Sequence, residues 1–315
     1  SFASNANLLK RTISEIGQAT SAQTTLVQTI ERLDITKIAT ANIQVYEKLE
    51  HCTKDMAELA RQMGLKAIPS ENYTDEALKA LADRAAQADV IVFAGGISPA
   101  VEGEELKTTV DGFAGGDRQR IELPEVQSKV LKALHKTGKP VVFVLCTGSA
   151  IALEQNEKDY DALVCAWYGG QEGGRAVADV LSGKYNPSGR LPLTFYKSTD
   201  QLPDFLDYSM DGRTYRYMTE KPLYDFGYGL SYTTFEYGQA KAAKSSMNAN
   251  GTMTITVDVK NTGDREGAEV VQLYIADSQA SIDRPVKELK GFEKITLKPG
   301  EKKTVSFTID ADDLS

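Results

Sequence analysis

Histidine is nearly missing from this chain, with His51 and His135 the only two in 315 residues, and cysteine is scarce, with Cys52, Cys146 and Cys165. Two histidines leave little material for a histidine-rich metal site or a Ser-His-Asp arrangement, and His135 reads as a cation in the last turn of a helix. Three cysteines are an odd number at no metal-ligand spacing, and Cys146 and Cys165 lie in apolar runs where a thiol behaves as a small hydrophobe. No stretch approaches the ~20 apolar residues that span a bilayer, and the first residues lack the basic-then-apolar pattern of a signal peptide. An excess of positive charge is missing as well. A net charge of −8 argues against nucleic acid or an anionic membrane as partner and leaves neutral small molecules.

What is present is ordinary for a folded chain, with 41% hydrophobic and 25% charged residues, and the length predicts roughly two domains. The chain opens without Met and stops at DADDLS, which suggests a processed or excised piece. From Thr74, TDEALKALADRAAQAD has an N-cap, acids in the first turn and Leu78, Leu81, Ala85 and Ala88 on one face, so a helix is predicted. The apolar run Val90–Ala94 predicts a strand buried on both faces and ended by Gly95–Gly96. LPEVQSKVLKALHKTGKP predicts a helix with Pro124 in its first position, Val126, Val130 and Leu134 inward, and Gly138 as its left-handed stop. PVVFVLC and DALVCAWY predict two more strands, and GGRAVADVLSG a helix ending at Gly183. Alternating strands and helices mean a parallel sheet covered on both faces by right-handed crossovers, an α/β class domain.

Beyond about Ser245 the apolar period becomes two, and TMTITVDVKN, AEVVQLYIAD, KGFEKITL and KTVSFTI predict a β-sandwich of four or five strands. A complete immunoglobulin-like sandwich has about seven, so this one is expected to be truncated. Between the two modules the texture is Pro, Gly, Tyr and Arg without a period, which predicts a structured connector in which Arg213, Tyr215 and Arg216 stitch neighbouring chain together. The expected organisation is an unassigned segment 1–76 in or on the α/β domain, the α/β sandwich 77–205, the connector 206–240 and the β-sandwich 241–315.

In an open parallel sheet, ligands bind outside the carboxyl ends of the strands. Three segments meet there: SPAVEGEELKTTVDGFAGGDR after the first strand, CTGSA after the second and WYGGQEGG after the third. A long connection without periodicity of its own usually serves function, so the first of these is expected to line a site. Thr147 and Ser149 read best as helix caps. The glycines of WYGGQEGG lack GxxxxGK[ST] or a spaced GxGxxG, so close helix packing explains them better than a phosphate cradle, and a flavodoxin-like phosphate binder is the weakest reading.

AWYGGQEGGRAVADVLSGKYNPSGRLPLTFYKS, RTYRYM, PLYDFGYGLSYTTF, VKNTGDREGAEVVQLYIAD and RPVKELKGFEKITLKPGE, in this order, resemble the C-terminal half of glycoside hydrolase family 3, which includes β-glucosidases and β-xylosidases. The resemblance runs over roughly residues 77–315. It implies an α/β sandwich followed by a fibronectin type III-like β-sandwich, preceded in the family by an N-terminal (β/α)8 barrel whose nucleophile motif these residues do not contain. It also implies retaining hydrolysis of terminal β-linked glucose or xylose, with an Asp nucleophile from the barrel and a Glu acid/base on a loop of the α/β sandwich, and with no cofactor or metal. Export to the periplasm or beyond the cell is implied only by relatives of this style.

Retention requires two carboxyl groups about 5–5.5 Å apart, one attacking the anomeric carbon and one protonating the leaving oxygen. Glu102, Glu104 and Glu105 lie in the first loop, and by the family's acidic motif upstream of an Asp-Arg pair Glu102 is the first choice for the acid/base and Glu104 the second. Asp117 and Arg118 match that pair and are candidates for sugar contacts, although an ion pair pinning the base of the loop is the stronger reading. Trp167, the one tryptophan, is placed either against a sugar ring or in the gap between sheet and helix. A chain lacking the nucleophile would be inactive alone, and a non-catalytic module that binds carbohydrate or scaffolds a barrel is the reading from another class.

Overall fold

A computed structural model describes residues 74–98, 112–114, 117–248, 250–277, 279–280 and 282–314. The described residues form two compact units: residues 74–184 with Tyr196–Gln201, and Tyr185–Phe195 with residues 202–314.

The first unit is built on three parallel strands, β1 (Ile91–Gly96), β4 (Val141–Cys146) and β5 (Ala162–Cys165), in the order β1-β4-β5. Between them come the short hairpin of β2 (Phe113–Ala114) and β3 (Asp117–Arg118), followed by helix α2 (Glu125–His135). Helix α1 (Asp75–Ala85) precedes β1 and α3 (Gly173–Leu181) follows β5. The register pairs Gly96 with Cys146 and Leu145 with Cys165, so the three strands end nearly in step. Continuous apolar runs form β1 and β4 because both sheet faces are covered: Ile91, Phe93, Val141, Phe143 and Leu145 are fully buried, and the Phe93 and Phe143 rings lie 5.2 Å apart. Thr74 caps α1, its hydroxyl accepting from the Ala77 amide at 3.2 Å, and Leu81, Ala85 and Ala88 are buried.

Local departures from the sequence reading have steric causes. Strand β1 does not stop before its glycines but runs through Gly95 and Gly96, which pair in register with Leu145 and Cys146. Gly96 has φ +120°, and a Cβ there would lie 1.9 Å from the Cys146 carbonyl oxygen, so only glycine brings the backbone this close. Pro124 is the residue before α2 instead of its first residue, and Gln127 and Ser128 face inward where Val126 is half-buried. Gly138 and Gly183 take left-handed conformations after α2 and α3 as expected.

The second unit contains a two-sheet β-sandwich. Strands β8 (Met253–Asn261) and β11 (Lys302–Ile309) pair antiparallel in one sheet, and β9 (Gly267–Ile275) and β10 (Glu288–Leu297) in the other. Val259, Val271, Ile295, Leu297 and Val305, from both sheets, form its core. The sequence reading missed an edge: β6 (Phe235–Tyr237) and β7 (Lys241–Ala242) both pair with β8, separated by Gly238, whose amide bonds Asp258 O at 2.8 Å. Aromatic residues and a glycine interrupt the period there, so the segment reads as connector.

Polar side chains complete this unit. Asn261 is fully buried, and its Nδ2 donates to the carbonyls of Arg265 (2.8 Å) and Leu297 (2.9 Å) while its Oδ1 accepts from Thr233 Oγ1 (2.8 Å) and the Gly263 amide (3.0 Å). Asn186 joins the Tyr232 amide, Ser231 Oγ and the Glu266 carbonyl. Arg190 pairs with the nearly buried Glu269, which also accepts from Tyr237 Oη at 2.8 Å. Tyr215 stacks on Phe226 with centroids 4.3 Å apart and accepts from the Leu289 amide at 3.1 Å, while Arg216 lies 3.4 Å from Glu288, so the predicted stitching is present.

Asn261→Ala strips partners from buried groups on several strands and turns at once. It should cost about 2–4 kcal/mol, seen as faster native-state hydrogen exchange of β8 and β10 amides, and unchanged exchange would contradict this accounting.

Candidate functional site

Because β1, β4 and β5 are parallel and end together, the chain leaves all three on one edge of the sheet, where backbone groups not bonded to a neighbouring strand need other partners. At the end of β1, Gln127 on α2 supplies them. Its Oε1 accepts from the Gly96 amide at 2.7 Å and its Nε2 donates to the Gly96 carbonyl at 2.6 Å, and the side chain is only 3% exposed. The Ile97 amide bonds Cys146 O at 2.9 Å, and Ser98 is fully buried. The segment that follows therefore leaves from a fixed root.

Glu102, Glu104 and Glu105 lie outside the described residues. The return of their segment is described: Phe113 is buried, the β2–β3 hairpin closes, and the Gln119 amide bonds Gly112 O at 2.8 Å. Arg118 donates through Nη1 to Ser149 Oγ at 2.8 Å and to Ala150 O at 3.0 Å, tying the hairpin to the turn after β4. Asp117 is placed by its backbone, which pairs with Ala114. Thr147 is fully buried and folds its turn by bonding Ser149 O at 2.6 Å. The helix-cap reading of Thr147 and Ser149 is thereby corrected: no helix starts at this turn, and Ser149 serves as the anchor for Arg118.

Beyond the hairpin the chain is fixed again at Glu122, whose carboxylate accepts from the Thr199 amide at 2.7 Å and from its hydroxyl at 2.6 Å. Burial pushes that carboxyl up, but the Thr199 bonds and the nearby Arg120 outweigh it and leave the group below its ordinary value.

Trp167 is half-buried two residues past the end of β5 and has φ +54°, a conformation that a non-glycine residue rarely adopts. Such a local cost persists only where surroundings over-determine it, and strained residues concentrate at functional sites. Beside it, burial pushes the Cys165 thiol up to about 11, outweighing the opposing backbone hydrogen bond at Trp167, so this cysteine is no nucleophile at neutral pH. Among the described residues, no three His, Cys, Asp or Glu side chains converge to hold a metal, and no helix is long and apolar enough to cross a membrane.

The edge thus brings together the two roots of the acidic segment, Arg118 and Ser149, and, one strand along, Trp167. The sequence reading overlooked Gln127 and Glu122. Gln127 had a signal, since Gln127, Val130, Leu131 and Leu134 share one helical face and the other three are apolar core.

The sequence matches the glycosyl hydrolase family 3 C-terminal domain over residues 4–232 and a fibronectin type III-like domain over 269–315. It is 51% identical over 224 residues to a xylan 1,4-β-xylosidase of Xylanibacter ruminicola, covering 71% of this chain and 26% of that protein. It is 46% identical over 254 residues to a periplasmic β-glucosidase of Salmonella typhimurium, covering 76% and 31%. The fold superposes on a β-glucosidase from Listeria innocua solved with isofagomine at a TM-score of 0.64 and 34% identity, covering 78% of this chain and 34% of that one. A β-glucosidase from Erythrobacter marinus gives a TM-score of 0.66 at 34% identity, with 82% and 38% covered. The chain spans roughly a third of the length of such relatives.

Gln127→Leu should cost about 2–4 kcal/mol by orphaning both backbone groups of Gly96, read as a lower urea midpoint for the first unit. At pH 8, Cys165 should be alkylated by iodoacetamide on the order of 10²-fold more slowly than an exposed thiol, measured by peptide mapping.

Proposed function

The chain belongs to glycosyl hydrolase family 3, and from that membership we propose that it is the C-terminal portion of a retaining β-glycosidase acting on terminal β-linked glucose or xylose. Its part of the chemistry is proton transfer. Glu102, with Glu104 as the second candidate, donates a proton to the leaving glycosidic oxygen and then takes one from the water that releases the sugar. An Asp nucleophile comes from an N-terminal (β/α)8 barrel of the full-length protein.

The observation that carries this reading is the double anchoring of the acidic segment. Gln127 holds its start and Arg118, through Ser149 and Ala150, holds its return, both at the sheet edge where α/β folds bind ligands. A general acid has to be delivered within hydrogen-bond reach of one oxygen, and two fixed roots restrict where a loop can carry it. Substrate closing over the carboxyl removes water and raises its pKa toward the working range of an acid.

Trp167 sits one strand along from the anchors and offers an aromatic face to a sugar ring. Arg118 and Asp117 bear on substrate chiefly by setting the loop's return, with direct contact to sugar hydroxyls a lesser role. Since the nucleophile belongs to the barrel, these 315 residues alone do not turn over substrate. The periplasmic relative favours a periplasmic or extracellular setting.

The test is made in the full-length enzyme with a series of β-glucosides and β-xylosides whose leaving groups differ in acidity. In Glu102→Gln, kcat/KM for poor leaving groups should fall about 10²–10⁴-fold, while activated aryl glycosides, which leave without protonation, fall much less. If Glu104→Gln shows that pattern instead, the role moves by two residues. If neither does, the proton donor lies elsewhere and the reading is overturned, leaving the binding or scaffolding module.

A further inference from the structure

Residues 203–210 of the second unit carry Phe205, Leu206 and Tyr208 at 89, 77 and 88% exposure. Single exposed hydrophobic residues are ordinary, but three large ones within four positions form a patch of the kind that marks an interaction surface. The loop beneath them is braced. Arg213 donates to the carbonyls of Ser209 (2.8 Å), Asp204 (3.3 Å) and Asp207. The Asp204 carboxylate accepts from the Leu206 amide and the Asp207 carboxylate from the Ser209 amide, each at 2.8 Å, and the Asp207 amide bonds Asp204 O at 3.0 Å. The backbone is turned around a guanidinium, its polar groups are met within the loop, and the apolar side chains project outward. Such a surface is ordered before anything binds it, which removes much of the entropy cost of docking.

We propose that this loop is the seat on which the remainder of the full-length protein docks. The inference rests on the reading that this chain works with an N-terminal domain. Two observations select that occupant over a free ligand. The family description that the chain matches is by its own terms a C-terminal domain. Solved relatives are covered over only 29–38% of their length, so most of each such protein lies outside what this chain spans. A covalently attached domain meets its seat at high effective concentration, so a patch of this size suffices. The complementary face would be an apolar socket with basic residues at its rim, matching Asp204, Asp207 and Asp211.

Hydroxyl-radical footprinting of the full-length protein, read by mass spectrometry, tests this with an internal standard. Phe292 lies in the same unit at 69% exposure and is outside the patch. Phe205 should be oxidised at least about fivefold more slowly than Phe292, because the centre of an interface excludes water, and the protection should depend on neither protein concentration nor added disaccharide. Equal oxidation of Phe205 and Phe292 overturns the proposal. Protection that grows with protein concentration assigns the patch to a second copy, and protection that requires cellobiose or xylobiose assigns it to sugar stacking; either result overturns it as well. Phe205→Ser with Tyr208→Ser, which removes only exposed side chains, should leave the circular dichroism unchanged and lower kcat/KM by at least about tenfold through misplacement of the reacting groups. Unchanged activity in that variant counts against the proposal. Protection without glycosidase activity in the unsubstituted protein supports the docking and overturns the enzymatic reading, while activity without protection does the reverse.

Discussion

Parallel strands that end in step leave backbone amides and carbonyls without ladder partners at one edge, and the burial of that edge makes each orphan costly. The first unit is organised around meeting this demand. Gly96 brings its backbone to a distance from Cys146 that no side chain would permit, and Gln127 then answers both of its polar groups from the neighbouring helix. With that contact in place the end of β1 is fixed, and Arg118 is anchored on Ser149 and Ala150. The geometry at the sheet edge, and any chemistry performed there, is a consequence of how the buried backbone was satisfied.

The second unit solves the same difficulty with asparagines. A two-sheet sandwich buries the turns where strands change sheet, and turn carbonyls cannot be paired by a ladder. Asn261 reaches carbonyls on either side of it and accepts from a threonine and a turn amide, while Asn186 ties the segment 231–232 to Glu266. The buried Arg190–Glu269 pair with Tyr237 adds little to net stability once desolvation is counted, and its effect is to specify one arrangement of chain. The residues around Tyr215 and Arg216, featureless by periodicity, are integrated into this unit through ring stacking and bonds to β10.

Much of the architecture was legible because it follows from local patterns. Apolar runs without alternation announced β1 and β4, the Thr74 cap and 3.6-residue period announced α1, and alternation with KPGE and TGDREG turns announced β8 to β11. The edge pieces β6 and β7 were not, because Gly238 and the surrounding tyrosines hide a period that only pairing with β8 makes regular. Of the site, the sequence reading expected Arg118 to pin the loop through an ion pair, whereas its described bonds go to Ser149 and Ala150, and Ser149 was not legible as a partner. Its partner lies 31 positions away, and a serine after a strand looks like a cap until the structure shows that no helix begins there.

Composition and residue order by themselves determined the class of each unit, the family and the sheet edge to which the acidic segment belongs, because burial on one or two faces imprints a period that any short window displays. What only the tertiary structure decided is which distant residue answers each polar group: Gln127 for the Gly96 backbone, Ser149 for the Arg118 guanidinium, Thr199 for the Glu122 carboxylate. Hydrogen bonds are short-range and directional, so pairs dozens of residues apart in the chain become partners only once the sheet has brought them within three ångströms of each other.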